Sequence, residues 1–201
     1  MPTLIIVESP YKTRAVWRYA NEVIPGKVIV RSCLGHLRDL PTGELGVDSD
    51  RGFMPQYCVP KSRTRTVFIL RPVVRAANRI ILATDPDREG EAVAWHFTQV
   101  FKAELENKTV ERVAFNALTR EAVQTALRHP KALDELLIRA AMTRRVMDRM
   151  IGFRVSPRLW AVVSGRDHAA GRVQTVALRL LIEHFQMQIK ASPIYTVDVE
   201  I

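Results

Sequence analysis

No run of about 18 apolar residues occurs in the sequence, so no helix crossing a bilayer is expected. The apolar amino terminus, Met1 to Val7, is too short for a secretion signal and is closed by Glu8. Cysteine is scarce: Cys33 and Cys58 lack CxxC spacing, which argues against a metal or dithiol motif, and both read as small buried hydrophobes. His36, His96 and His184 show no metal-ligand spacing, and there is no internal repeat or low-complexity stretch. Nothing calls for an oxidising compartment, so a reducing cytoplasm is the expected location. Acidic residues are also in short supply. Against 30 Lys+Arg stand 21 Asp+Glu, a net charge of +9 with a pI near 10.1, which points to a polyanionic partner, nucleic acid before membrane.

What is present reads as an α/β chain. Leu4-Ile5-Ile6-Val7 and Ile80-Ile81-Leu82-Ala83 are apolar runs without alternation, as expected of strands covered on both faces of a parallel sheet. Ser9 and Pro10 suit a helix cap and first turn, and Val16, Tyr19, Ala20 and Val23 form an apolar stripe behind them. Lys27 to Ser32 and Val110 to Phe115 are further strand candidates; Gly90 to Phe101 and Thr119 to Leu127 are helix candidates, with Thr119 as a cap. Residues 35–62 read as a long loop with little regular structure. Residues 63–78 fit either a strand at Val67–Leu70 followed by a short helix from Pro72, or one helix kinked at Pro72. The alternation of strands and helices predicts a doubly wound, Rossmann-like domain over residues 1–130, with ligands at the carboxyl ends of its strands. Residues 131–190 read as wholly helical, over about 133–151, 156–163 and 172–190. Residues 191–201 read as the start of a further domain, where Tyr195 to Ile201 alternate like a half-buried strand, and a chain that stops inside a strand suggests a truncated or cut protein.

Two clusters carry the chemistry. Asp85-Pro86-Asp87-Arg88-Glu89 places three carboxylates at alternate positions, and on extended backbone alternate side chains share a side. Crowded carboxylates repel one another and call for a hard cation, for which Mg²⁺ with oxygen ligands is suited. Glu8, at the end of another buried strand, is a separate candidate for acid–base work. A solvated acidic turn is the plain alternative. The second cluster is basic: residues 138–179 hold nine Arg, no Lys and only Asp148 and Asp167 as acids. Arg145, Asp148, Arg149 and Gly152 fall at i, i+3, i+4, i+7 on a helix, and Phe153 beside them could stack an unpaired base. A charged helix facing only solvent is the alternative here.

The ordered motifs carry a resemblance. Ile6-Val-Glu-Ser-Pro-Tyr-Lys12, Gly35-His-Leu-Arg-Asp-Leu-Pro41 and Ala83-Thr-Asp-Pro-Asp-Arg-Glu-Gly-Glu-Ala-Val-Ala-Trp-His96 resemble the Toprim domain of type IA DNA topoisomerases. Arg144 to Arg149, Gly152 to Trp160 and Ala170 to Arg179 are similar to the single-strand-binding helices that follow it in that family. The resemblance favours the single-helix reading of residues 63–78. It implies that Asp85, Asp87 and Glu89, with Glu8, hold Mg²⁺. Glu8 would serve as general acid–base for the 3′ oxygen, and Lys12 would contact the scissile phosphate. Arg145, Asp148, Arg149, Phe153, Arg172 and Gln174 would line a groove for single-stranded or negatively supercoiled DNA. The family's nucleophile is a tyrosine in a later domain, and Tyr11, Tyr19, Tyr57 and Tyr195 all lack its context. The sequence therefore reads as the amino-terminal part of such an enzyme, without relaxation activity by itself. A stand-alone Toprim nuclease and a non-enzymatic DNA-binding remnant are the alternatives.

Overall fold

The computed structural model describes residues 2–163 and 168–190. It divides into two compact units, residues 1–146 and 147–201.

In the first unit, strands β1 (Thr3–Val7), β2 (Val28–Ser32), β5 (Arg79–Ala83) and β6 (Thr109–Arg112) form one parallel sheet in the order β2-β1-β5-β6. The two unbroken apolar runs, β1 and β5, lie at its centre. Alternation along each then feeds two cores. Leu4, Ile6, Ile80 and Leu82 face helices α2 (Lys61–Ala76), α3 (Arg88–Val100) and α4 (Lys102–Leu105), through Leu70, Val74, Val93, Phe97 and Phe101. Ile5, Val7, Ile81 and Ala83 face α1 (Pro10–Ala20) and α5 (Arg120–Arg128), through Val16, Ala20, Val123 and Leu127. This is the doubly wound Rossmann-like architecture. From β1 the chain moves to β2 on one side, then crosses to β5 on the other. The carboxyl ends of β1 and β5, paired at Val7 and Ala83, therefore flank the topological switch point.

Residues 61–76 are one helix with Pro72 inside it. Proline has no N–H to give the carbonyl of Phe68, which is well exposed, so water can satisfy that carbonyl and the helix continues. Three local expectations are corrected. Ser9 occupies the cap position of α1 but its side chain makes no capping hydrogen bond; Pro10 supplies the start. Cys33 is buried, but Cys58 is exposed, with its thiol 3.6 Å from the Asp39 carbonyl. The 35–62 segment is more ordered than a plain loop: β3 (Val47–Asp48) pairs with β4 (Met54–Pro55), and Asp39 bridges to Cys58. Leu37, Leu40 and Val47 are buried and fasten it to the domain.

Helix α6 runs without interruption from Glu135 to Val162, so the expected break between residues 151 and 156 is absent; Pro157 lies within it. In the second unit, α7 (Arg172–Lys190) matches the expected span. The strand expected over residues 191–201 lies outside the described residues. No described helix is long and apolar enough to cross a membrane.

Candidate functional site

The sheet delivers Glu8 and Asp85 to one place because each is the first or second residue beyond a central strand, and those strands are in register. The Glu8 carbonyl is fixed by the Ser32 hydroxyl at 2.8 Å, and Ser32 also accepts the Leu34 amide at 3.1 Å. Leu34 and Gly35 both take left-handed backbone, φ 60 and 83, a tight reversal that brings His36 back toward the acidic turn. Lys12, one turn into α1, donates from Nζ to Oδ1 of Asp85.

Burial, and next the Asp85 carboxylate, push the Glu8 pKa up, while Lys12 opposes them; Asp87 adds to the rise and His36 opposes it. Glu8 is thus biased toward holding a proton. A raised carboxyl pKa contributes stability that is fully present below the ordinary value of 4.5 and is lost as pH rises through the folded value. Glu8→Gln should therefore unfold at higher urea than the parent at pH 8 with EDTA present. That gap should narrow towards pH 4. Equal midpoints at pH 8 would show that Glu8 bears no such penalty.

The extended alternation does not reach Glu89. Asp87 is extended, φ −131 and ψ 176, but it is the cap of α3, its Oδ1 accepting the Gly90 amide at 2.7 Å. Glu89 already lies in the first helical turn and faces His36, with Oε2 3.5 Å from Nε2. Among the described residues, no three Asp, Glu, His or Cys side chains are gathered at metal-ligand distance. In donor type the carboxylates suit a hard cation, and the repulsion among Glu8, Asp85 and Asp87 is of the kind a divalent ion relieves. In the structure Lys12 partly plays that part.

Glu89 also lines a cavity of about 300 Å³ with His36, Arg38, Asp39, Tyr57, His96 and Arg145. His96 is 3% exposed, and burial pushes its pKa down to about 3, so the ring is neutral. Its Nδ1 accepts from Arg38 Nε at 3.2 Å, which places its proton on Nε2. The Arg38 guanidinium lies 4.9 Å from the Trp95 ring and 5.5 Å from that of Tyr57. Arg145 is bidentate on Asp39, at 2.8 and 2.6 Å. In the second unit, Arg172 pairs with Asp148 at 3.0 Å, Arg149 lies 5.1 Å from the Phe153 ring, and Gln174 is exposed in the first turn of α7.

Sequence reasoning missed a buried pair behind the acidic turn. Arg112 Nε donates to Glu91 Oε2 at 2.8 Å, and the two side chains are 3% and 6% exposed. No distinct signal marked them, since Glu91 follows the polar run Asp87-Arg88-Glu89-Gly90 and Arg112 follows Glu111.

An open parallel sheet with Glu8 and Asp85 just beyond its paired central strands, at the switch point, defines a doubly wound α/β domain. Residues 3–118 match the Toprim domain family, and residues 132–201 match the DNA topoisomerase family. The chain is 40% identical over 197 residues to "DNA topoisomerase 1" of Synechococcus elongatus, covering 91% of this chain and 21% of that protein. It superposes on full-length topoisomerase I from Thermotoga maritima with a TM-score of 0.78 and 33% identity, over 91% of this chain and 30% of that one. The chain belongs to the type IA DNA topoisomerase family, to the amino-terminal region that contains the Toprim domain.

Proposed function

We propose that the chain binds Mg²⁺ and single-stranded or negatively supercoiled DNA, as the metal- and strand-handling part of an enzyme that cleaves and rejoins DNA. The observation that carries this is the meeting of Glu8, Lys12 and Asp85 at the switch point of the sheet. Glu8, Asp85 and Asp87 would hold the ion, with Glu89 as the fourth carboxylate of the set. Bound there, Mg²⁺ supplies positive charge that neutralises phosphate oxygens. Glu8, with its raised pKa, can hold a proton and deliver it to a departing 3′ oxygen, then take it back on rejoining. Lys12 can exchange the Asp85 carboxylate for the scissile phosphate. Arg145, Arg149 and Arg172 offer planar forks suited to phosphate, and Phe153 a ring on which a base can stack. None of Tyr11, Tyr19, Tyr57 and Tyr195 has the sequence context of the family's attacking tyrosine, so the 201-residue chain is expected to form no covalent DNA adduct.

Two titrations test the proposal. Calorimetry should show Mg²⁺ binding that falls in Asp87→Ala; unchanged binding would remove the metal assignment. Affinity for single-stranded DNA should fall with salt, and Arg149→Ala should flatten the log–log slope by roughly 0.7, the release expected from one phosphate contact. A slope identical to that of the parent would contradict the DNA assignment. Mg²⁺-dependent hydrolysis of a labelled strand by the chain alone would select the nuclease instead.

A further inference from the structure

We infer that Arg112 and Glu91 are the positioning residues of the acidic turn, fixing the backbone of Asp85 at the end of the sheet and fastening the start of α6 to the same point. The inference rests on the reading of Asp85 as a functional carboxylate.

Arg112 ends the edge strand β6 and turns its guanidinium inward, beneath the turn. Nη1 donates to the carbonyls of Thr84 at 2.9 Å and Leu82 at 3.2 Å, and also to that of Val113. Nη2 donates to the carbonyl of Asp85 at 2.7 Å, and Nε to Glu91 at 2.8 Å. One planar fork therefore collects the backbone of β5 where it leaves the sheet. A lysine, with three donors on a single nitrogen, cannot reach the same set. The other oxygen of Glu91 accepts the backbone amide of Asp134 at 2.8 Å. Asp134 in turn caps α6, its Oδ1 accepting the amides of Leu136 at 2.9 Å and Leu137 at 3.1 Å. A continuous set of bonds thus runs from the Asp85 carbonyl through Arg112 and Glu91 to the first turn of α6. Both side chains are almost wholly buried and already paired with each other, so neither is placed to touch DNA. Their position behind the carboxylates, not among them, is that of residues that orient ligands, whose loss elsewhere weakens metal affinity about 10–100-fold.

The test compares the parent 201-residue chain with Arg112→Lys and Glu91→Gln. Hydrogen exchange should speed more than about tenfold at the Gly90 and Glu91 amides, which report the cap of the turn, while the β1 amides Leu4 to Val7 keep parental rates. A merely structural role would speed all of them together. Mg²⁺ affinity should fall about tenfold while affinity for single-stranded DNA in EDTA stays within about twofold. Parental exchange at Gly90, or uniform acceleration, would overturn the inference. If Arg112→Lys does not fold, Glu91→Gln, which keeps the volume but sets an amide NH2 in place of one of the two acceptor oxygens and removes the charge, gives the same readout. A parent chain that binds no Mg²⁺ would defeat the proposed function, and the exchange pattern would still decide the positioning role.

Discussion

Arg112→Ala is expected to lower the unfolding free energy by about 3–5 kcal/mol, the cost of leaving one member of a buried ion pair alone. Domains of this size have about 5–15 kcal/mol in all, so the variant should sit near the threshold of folding. In many proteins a buried pair can be replaced by two apolar residues with little loss. Here that route is closed, because Arg112 also serves the carbonyls of Leu82, Thr84 and Asp85, and Glu91 the amide of Asp134. Arg112→Met combined with Glu91→Leu should therefore remain well below the parent in urea unfolding. A double variant within about 1 kcal/mol of the parent would show that those backbone groups find other partners.

Gly90→Ala should be nearly as damaging, at about 3 kcal/mol, the upper range for overpacking. A Cβ at residue 90 would stand 2.2 Å from the Asp85 carbonyl oxygen and 2.8 Å from its nitrogen. The obstacle is backbone, and it cannot easily retreat. Asp85 is gripped from behind by Arg112, and the Gly90 carbonyl accepts the Thr84 hydroxyl at 2.6 Å. The variant should also lose Mg²⁺ binding, because the only relief is to push Asp85 off the end of the sheet. Urea unfolding and calorimetry on the same preparation would measure both effects. Parental stability in Gly90→Ala would mean that the turn slides freely over the first turn of α3.

The central strands were legible because, after an opening Thr3 or Arg79, β1 and β5 are buried on both faces and run on as four apolar residues without a polar break. Position relative to those strands made Glu8 and Asp85 legible too. The conformation of the acidic run was not. Alternation in Asp85, Asp87 and Glu89 suggests extended chain, but Asp87 is also a good helix cap, and its bond to Gly90 starts the helix before Glu89 is reached. The 63–78 segment was ambiguous because proline normally ends a helix, and whether Phe68 has water at its carbonyl is a tertiary fact. Arg112 and Glu91 were invisible for a similar reason. In sequence they look like surface charges, and only the fold brings residues 21 positions apart into a dry pair.

The pairing of β1 with β5 also sets when the site can exist during synthesis. Glu8 and Asp85 are 77 residues apart (85 − 8), and Thr3 meets Arg79 only after the whole of β2, the 35–62 segment and α2 have been made. At about 5–20 residues per second, a ribosome needs about 4–15 s between the two carboxylates. Until β5 emerges, the β1 edge that it will cover stays open, and Glu8 acquires its neighbours only with the closing of the sheet.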